Sequence, residues 1–520
     1  MLRQACRCGG GGLELGALSW RQGLKELTRD TAKSYFWNQL AVVLDGAALM
    51  LATVVVGRVS GAERLGEFGQ ILSVAGLTVM VAGLGLRESA AVLVQRTSGD
   101  EPGLAGFLRL CLGVRSAGAL AAGLVIAVLV LLDGRSPAVA AAAAAYVAAI
   151  LVSNFIATFD LALFRARAVA AGKLASAVTA LALVAAGAML DSTAVILSGL
   201  AAGAVAGTIF YAWPLRALVQ IKARSYPFSS VMALSWTLWL AAIFNYIVNL
   251  QGVQAVMWVA RVEPASVGHF TAGLAIAMAA NRLFVGGFAN IILAAFSRAD
   301  AAGQRGDFAA LHSLYVRATA VMTLPVLLGA LVFADELAGI FLVEETAPAA
   351  TVIRILAGFF VAGRLLGGGA HSSGLFATGG HVAALAIRAG FAVVMFVATW
   401  MAAYFGGIGH VAVAAGAVSV TVIAVEWLCL AARQSIRLPT GALIRTALMC
   451  GAGALVAMIV AAGDSPARTA AGVVTYVVLQ AAALRLARPL ARGEVASMGV
   501  AGMVARVLGS FEARGASNGH

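Results

Sequence analysis

SYFWNQLAVVLDGAALMLATVVVGRVSGAERLGEFGQILSVAGLTVMVAGLGLRESAAVLVQR, residues 34–96, decides the fold. Two apolar runs, 36–56 and 69–94, flank the short polar hinge GRVSGAERLGEF at 57–68. A helix needs about 20 mostly apolar residues to cross a bilayer, and each run has them. Two such runs on so short a hinge make a transmembrane helical hairpin.

The composition extends this reading to the whole chain. Of 520 residues, 61% are hydrophobic and only 11% are charged, against about 25% charged in soluble domains. Too little polar surface remains for a soluble protein. Backbone groups in lipid must be paired internally, so the spans are helices or a closed barrel. The apolar runs are continuous and not alternating ten-residue strands, which selects helices. The net charge of +13 raises nucleic acid as a partner. The basic residues sit in connections between spans and form no basic domain, so they report orientation, and no nucleic acid is expected. Cys6, Cys8, Cys111, Cys429 and Cys450 form no disulfide or metal framework. Residues 1–33 lack the apolar core of a cleavable signal peptide.

The pattern predicts an all-α polytopic membrane protein with about fourteen transmembrane helices. They cover 36–57, 69–94, 112–132, 137–164, 170–190, 193–213, 230–259, 267–296, 311–333, 349–369, 381–405, 409–432, 442–462 and 467–486. With the N-terminus inside, the outward connections hold only Arg58, Arg64, Arg135, Arg261 and Arg468. All other connection and tail arginines and lysines fall inside. The positive-inside rule therefore puts both termini in the cytoplasm of a cell (inner or plasma) membrane protein. No outer connection exceeds about twenty residues, which argues against an enzyme with an external substrate domain.

The first hinge recurs. Arg58 and Val59 match Arg261 and Val262, and Gly66 and Phe68 match Gly268 and Phe270. The latter offset, 202, also places Gly85 on Gly287 and Arg96 on Arg298. A repeat after an even number of spans keeps both halves in one orientation, as in parallel-repeat transporters. The expected division is a tail at 1–33, a six-helix lobe at 34–215, a linker at 216–229, a second six-helix lobe at 230–435, two extra helices at 436–486, and a tail at 487–520. The lobes would be pseudo-symmetric around a central cavity.

At these residues the chain resembles the oligosaccharide flippases of the MOP superfamily, the Wzx-like polysaccharide-biosynthesis transporters. The pattern is carried by Arg58, Gly61, Glu63, Gly66, Phe68, Gly85, Leu86 and Arg96, then by 324–342, 375–390 and 406–419 in the same order. The resemblance covers roughly 34–435. The connection VEETAPAA at 343–350 departs from it. It implies a V-shaped cavity between lobes, alternating access, and a polyprenyl-diphosphate-linked glycan as cargo passed from inner to outer leaflet. A glycan polymerase of the same pathway and membrane lipids are the implied partners. MATE-like drug or cation antiporters and lipid II flippases share the superfamily fold and stand as the alternative.

Ionisable residues inside a membrane are functional candidates by default. Here they are Arg87, Arg115, Arg282, Arg317, Arg354, Arg364 and Arg388, with Asp45, Glu88, Asp160 and Glu426. The basic surplus suits an anionic cargo better than a cationic drug. Arg282, beside Asn281 and deep in the eighth span, is the foremost candidate to grip a diphosphate in fork geometry; its structural alternative is a pair with Asp45. Arg87, Arg354 and Arg388 are further cavity candidates. Asn245 and Asn249, four apart, are expected on one helical face for sugar hydroxyls or interhelical bonds. Asp45 is the coupling candidate for H+ or Na+, or a salt-bridge partner. Asp160 is expected to pair with Arg165 or Arg167. His269, His371, His381 and His410 form no catalytic or metal set, and no nucleotide-binding loop, nucleophile elbow or cofactor motif occurs.

Overall fold

The computed structural model describes residues 13–97, 100–163, 165–282, 292, 296–297, 299–300, 305–463 and 465–487. Every regular element among them is helical. They are α1 (Leu13–Ala82), α2 (Leu86–Thr97), α3 (Glu101–Leu132), α4 (Pro137–Ala162), α5 (Ala166–Met189), α6 (Thr193–Gln220), α7 (Phe228–Val248), α8 (Val253–Val259), α9 (Pro264–Arg282), α10 (Arg305–Val332), α11 (Ala334–Phe341), α12 (Thr346–Leu365), α13 (Ala370–Ala377), α14 (His381–Gln434), α15 (Thr440–Ala461) and α16 (Pro466–Ala487). Gly287 and Arg298 of the repeat, the CRC segment near the N-terminus and residues 488–520 lie outside the described residues.

Local chemistry sets the helix starts. The Asp100 carboxylate accepts from the Gly103 amide ahead of Pro102, and Ser136 and Ser192 accept from Val139 and Val195. These satisfy amide groups that a helix N-terminus leaves unpaired.

Among the described residues, ten helices are long and apolar enough to cross a membrane, or eleven if one bent pair counts as a span. Two of the ten are too long for one crossing. At 1.5 Å per residue, the 54 residues of α14 would run to roughly 80 Å. Both carry a non-helical glycine, Gly61 (φ 84°) in α1 and Gly407 (φ 75°) in α14. A Cβ on Gly57 would stand 3.0 Å from the Leu65 side chain. Residues eight apart in a straight helix are about 12 Å apart, so the chain folds back at Gly61. The hinge read from sequence is therefore a glycine turn.

Two spans and one connection depart from the expected pattern. The second stops at Ala82 and resumes at Leu86, through Leu84 and Gly85 in left-handed conformation. A Cβ on Gly85 would overlap the Ser235 carbonyl, so the break is where α2 docks on α7. The Trp239 indole donates to the carbonyl oxygens of Met80 (3.2 Å) and Val81 (2.8 Å), capping the freed end of α1. The seventh span bends by 70° between α7 and the short turn leading into α8. Between the ninth and tenth spans the expected loop contains α11.

α1 with α3–α6 packs as one group, and α7–α14 as another. The principal joint between them is α1 against α9. A Cβ on Gly66 would overlap the Pro264 carbonyl oxygen, and one on Gly268 would overlap that of Ala62. Without a hydrophobic drive between helices in lipid, such close backbone approach supplies the van der Waals attraction. α15 and α16 pack on each other and lean on α10, where the Tyr476 hydroxyl donates to the Pro325 carbonyl.

Candidate functional site

The hinge side of the molecule is sealed. Arg58 donates to the Gly339 carbonyl at 2.9 Å at the end of α11. Gln70 donates to the Val262 carbonyl, and the Ser73 hydroxyl to that of Gln251 at 2.5 Å. Ser73 also receives the Ala255 amide at 3.0 Å, while the Tyr246 hydroxyl donates to the Ser73 carbonyl at 2.7 Å. Away from the hinge, the first span loses its cover. Ala52, Thr53 and Val56 are buried, whereas Val42, Val43, Asp45, Ala47 and Leu49 are exposed.

Asp45 does not meet Arg282. Its carboxylate accepts from the Lys173 ammonium of α5 at 2.6 Å. Lys173 lies two turns inside α5, which starts at Ala166. Tyr146 of α4 and Tyr211 of α6 lie within electrostatic reach of Asp45. The first lobe thus pairs its exposed acid with its own base. Lys173, Tyr146 and Tyr211 were not readable as partners, because nothing in linear spacing aligns α1 with α4, α5 and α6.

Arg282 closes the described part of α9 and is exposed. No carboxylate pairs with it among the described residues. Its neighbour Asn281 is engaged. Arg364 of α12 donates through Nε to the Asn281 side-chain oxygen and through Nη2 to the Asn281 carbonyl, both at 2.9 Å, and through Nη1 to the Gly368 carbonyl at 3.0 Å. Asn281 is therefore a structural anchor and its oxygens face no cavity ligand. Arg364 thereby holds the residue next to Arg282. The two guanidinium groups are close enough to act on each other.

Four other residues depart from the sequence expectation: Arg388, Arg354, Asn245 and Asn249. Arg388 is half-buried and donates to Glu426 at 3.2 Å and to Ser372 at 2.8 Å, so its charge is spent inside the second lobe. Arg354 pairs with Asp335 of α11, both exposed near the sealed side. Asn245 and Asn249 share no helical face: α7 ends at Val248, and Asn249 is extended (φ −73°, ψ 146°). Arg87 stays exposed in the first turn of α2. The Glu88 side chain lies outside the described residues. Asp160 is buried with Arg165 at 3.7 Å, the pairing expected from sequence, and Arg167 sits over the Trp37 ring.

The described carboxylates inside the membrane region are thus each beside a base: Asp45 with Lys173, Asp160 with Arg165, Glu426 with Arg388. Arg282 and Arg87 remain as exposed cations. A groove of about 660 Å3 between α12 and the Gly407 break is lined by Ile355, Phe405, His410 and small residues. It is too apolar to hold an anion and is separate in character from the Arg282 region. Among the described residues, no cluster of three or more His, Cys, Asp or Glu could hold a metal ion.

No family model matches the chain, and no curated protein matches it in sequence. Solved structures do match in fold. An inward-facing multidrug resistance MATE family transporter of the MOP superfamily aligns with a TM-score of 0.58 at 16% identity, covering 76% of this chain and 94% of that one. An outward-facing MATE transporter of the superfamily gives 0.57 at 16%, covering 78% and 96%. A MOP superfamily transporter from Pyrococcus furiosus, described for the reverse polarity of its binding pocket, gives 0.57 at 15%, covering 78% and 96%. The chain is an all-helical membrane protein with the fold of the MATE-type transporters of the MOP superfamily.

Proposed function

We propose that the chain is a secondary transporter that flips a polyprenyl-diphosphate-linked oligosaccharide from the inner to the outer leaflet by alternating access, for cell-surface polysaccharide synthesis. The observation that carries this reading is Arg282, an exposed guanidinium at the end of α9 with no carboxylate partner among the described residues. A planar fork held on a fixed base suits bidentate recognition of a diphosphate. Neighbouring structures capture MATE transporters of this fold facing inward and facing outward, which supports alternating access.

A MATE-like exporter of cationic drugs is the competing reading. Cationic cargo needs a free carboxylate, and Asp45, Asp160 and Glu426 each lie beside a base. Lipid II carries the same diphosphate chemistry and remains a cargo within the proposal's class. In this reading both termini are cytoplasmic, and Asp45, held by Lys173, is a candidate for H+ or Na+ coupling. Arg87 would meet the diphosphate as it enters.

The test is flipping of a fluorescent polyprenyl-diphosphate oligosaccharide by purified protein in liposomes. A hydrogen bond to a charged group is worth roughly 1.5–3 kcal/mol. Arg282→Ala is therefore expected to slow translocation by about 10- to 100-fold while leaving the thermal midpoint unchanged. An unaltered rate removes Arg282 from the cargo site. Export of small cations with no lipid translocation overturns the flippase reading.

A further inference from the structure

His312 of α10 and His371 of α13 form a buried pair. Both rings are fully enclosed, and His312 Nε2 lies 3.2 Å from His371 Nδ1. Their tautomers follow from their partners. His371 Nε2 faces the Leu366 carbonyl, which only accepts, so Nε2 carries a hydrogen. In the neutral ring Nδ1 then holds a lone pair and accepts from His312 Nε2–H. That leaves the lone pair of His312 on Nδ1, which is buried with no hydrogen-bond partner among the described residues. Buried polar groups are nearly always satisfied, and a purely structural histidine gains nothing from an empty nitrogen. The pair can take one proton at His312 Nδ1 with both existing bonds intact. A second, on His371 Nδ1, would break the bond between the rings.

The pair is also joined to the candidate cargo site. Leu366 opens the turn at 366–369, where Gly367 and Gly369 have φ of 82° and 94°. A Cβ on Gly367 would lie 3.0 Å from the His371 ring, so turn and imidazole are in contact. The same turn gives the Gly368 carbonyl to Arg364, which holds Asn281 next to Arg282. The charged and titratable groups facing the pair are Glu426 and Arg388 of α14, Arg364 of α12 and Tyr315 of α10. Glu426 accepts from Ser372, the residue after His371, at 2.6 Å, and is close enough to act on His371 electrostatically. On the α15 side the packed residue is Leu443.

We propose that the His312–His371 pair is a proton-binding site of the second lobe, and that its proton couples to cargo handling through the 366–369 turn, Arg364 and the Asn281–Arg282 end of α9. The coupling part rests on the transporter reading above. The proton enters on His312 Nδ1 and leaves the bond between the rings and the bond to the Leu366 carbonyl in place. Release returns the pair to the neutral arrangement seen here.

The experiment has two readouts. In liposomes loaded with the fluorescent polyprenyl-diphosphate oligosaccharide, an imposed gradient of one pH unit can bias translocation by up to about tenfold. His312→Gln keeps a donor where Nε2 stands but cannot take the proton. It is expected to retain the rate without a gradient and to lose the stimulation. Stimulation equal to wild type overturns the coupling. Independently, 15N-histidine spectra of the wild-type protein in detergent, from about pH 8 to about pH 5, read the pair directly. Two ring signals are expected to change together on uptake of a single shared proton, and this needs no variant to fold. A pair that stays neutral throughout, or two rings that titrate independently, overturns the site. If the wild type moves no such lipid, the cargo reading fails, while the spectra still decide the proton site.

Discussion

Gly66 and Gly268 face each other across a local twofold relation. Gly66 lies against the carbonyl of residue 264, and Gly268 against that of residue 62, and an offset of 202 carries 66 onto 268 and 62 onto 264. Gly69 likewise lies against Thr271, its own counterpart at that offset. The repeat in the sequence is thus the contact about which α1 and α9 meet. Gly66→Ala and Gly268→Ala each push a methyl into a facing backbone that cannot rotate away. Overpacking of this kind costs roughly 1–3 kcal/mol. The two single variants are expected to lower the thermal midpoint in detergent by similar amounts. The double variant should fall short of their sum, because one separation of the helices relieves both clashes. Unequal singles with full additivity would argue against a shared axis at this point.

Much of this was legible in the chain itself. Gly61, Gly66 and Gly268 stood out because a polar hinge between apolar runs, repeated in register, has few other readings. The site was less legible. Arg388 and Arg354 looked like free cavity cations because their partners, Glu426 and Asp335, lie on other helices whose facing sides linear spacing does not disclose. The face shared by Asn245 and Asn249 failed because a bend follows Val248, with no proline to announce it. His312 and His371 are 59 residues apart and meet only because α13 folds back beside α10.

Arg364 tests how Arg282 is held. It makes three hydrogen bonds, two of them to Asn281 at the end of α9. Arg364→Ala leaves the Asn281 and Gly368 carbonyls without these donors, at about 1–3 kcal/mol for each buried group left unpaired. A marked drop in thermal midpoint is expected, together with slower translocation. Arg364→Lys should recover little of either, since a single ammonium cannot span the side chain, the carbonyl and the turn at once. Full recovery by lysine would mean that charge alone matters at this position.

Lys173 and Asp45 test the neutralisation of the first lobe. Lys173→Met leaves Asp45 without its base, while Asp45→Asn leaves the ammonium without its acid. Asp45 is well exposed, so the pair is expected to be worth no more than about 1 kcal/mol in a double-mutant cycle on stability. Transport should respond more strongly. Lys173→Met leaves an unpaired carboxylate on the first span and is expected to weaken handling of an anionic lipid and to admit cationic dyes, read by dye uptake in the same liposomes. Rejection of cations by this variant would separate cargo charge from Asp45.

At the sealed side, Arg64 reaches from the hinge to the turn between α5 and α6. It donates through Nε to one Asp191 oxygen at 2.9 Å and through Nη2 to the other at 3.1 Å, and through Nη1 to Glu67 at 3.0 Å. The Arg64 guanidinium holds the Asp191 carboxyl below the usual carboxylate range. A depressed folded-state value means stabilisation that is complete above the unfolded value of about 3.9 and fades as pH falls below it. Wild type is therefore expected to exceed Asp191→Asn in thermal midpoint at neutral pH, by a small margin because Asp191 is largely exposed. The margin should close on acidification through about pH 4 and below, and shrink in high salt. Because the bond ties the hinge to its own lobe and not across the seam, translocation should be unchanged by Asp191→Asn. A faster or slower rate in that variant would place the Arg64 cluster in the gating motion itself.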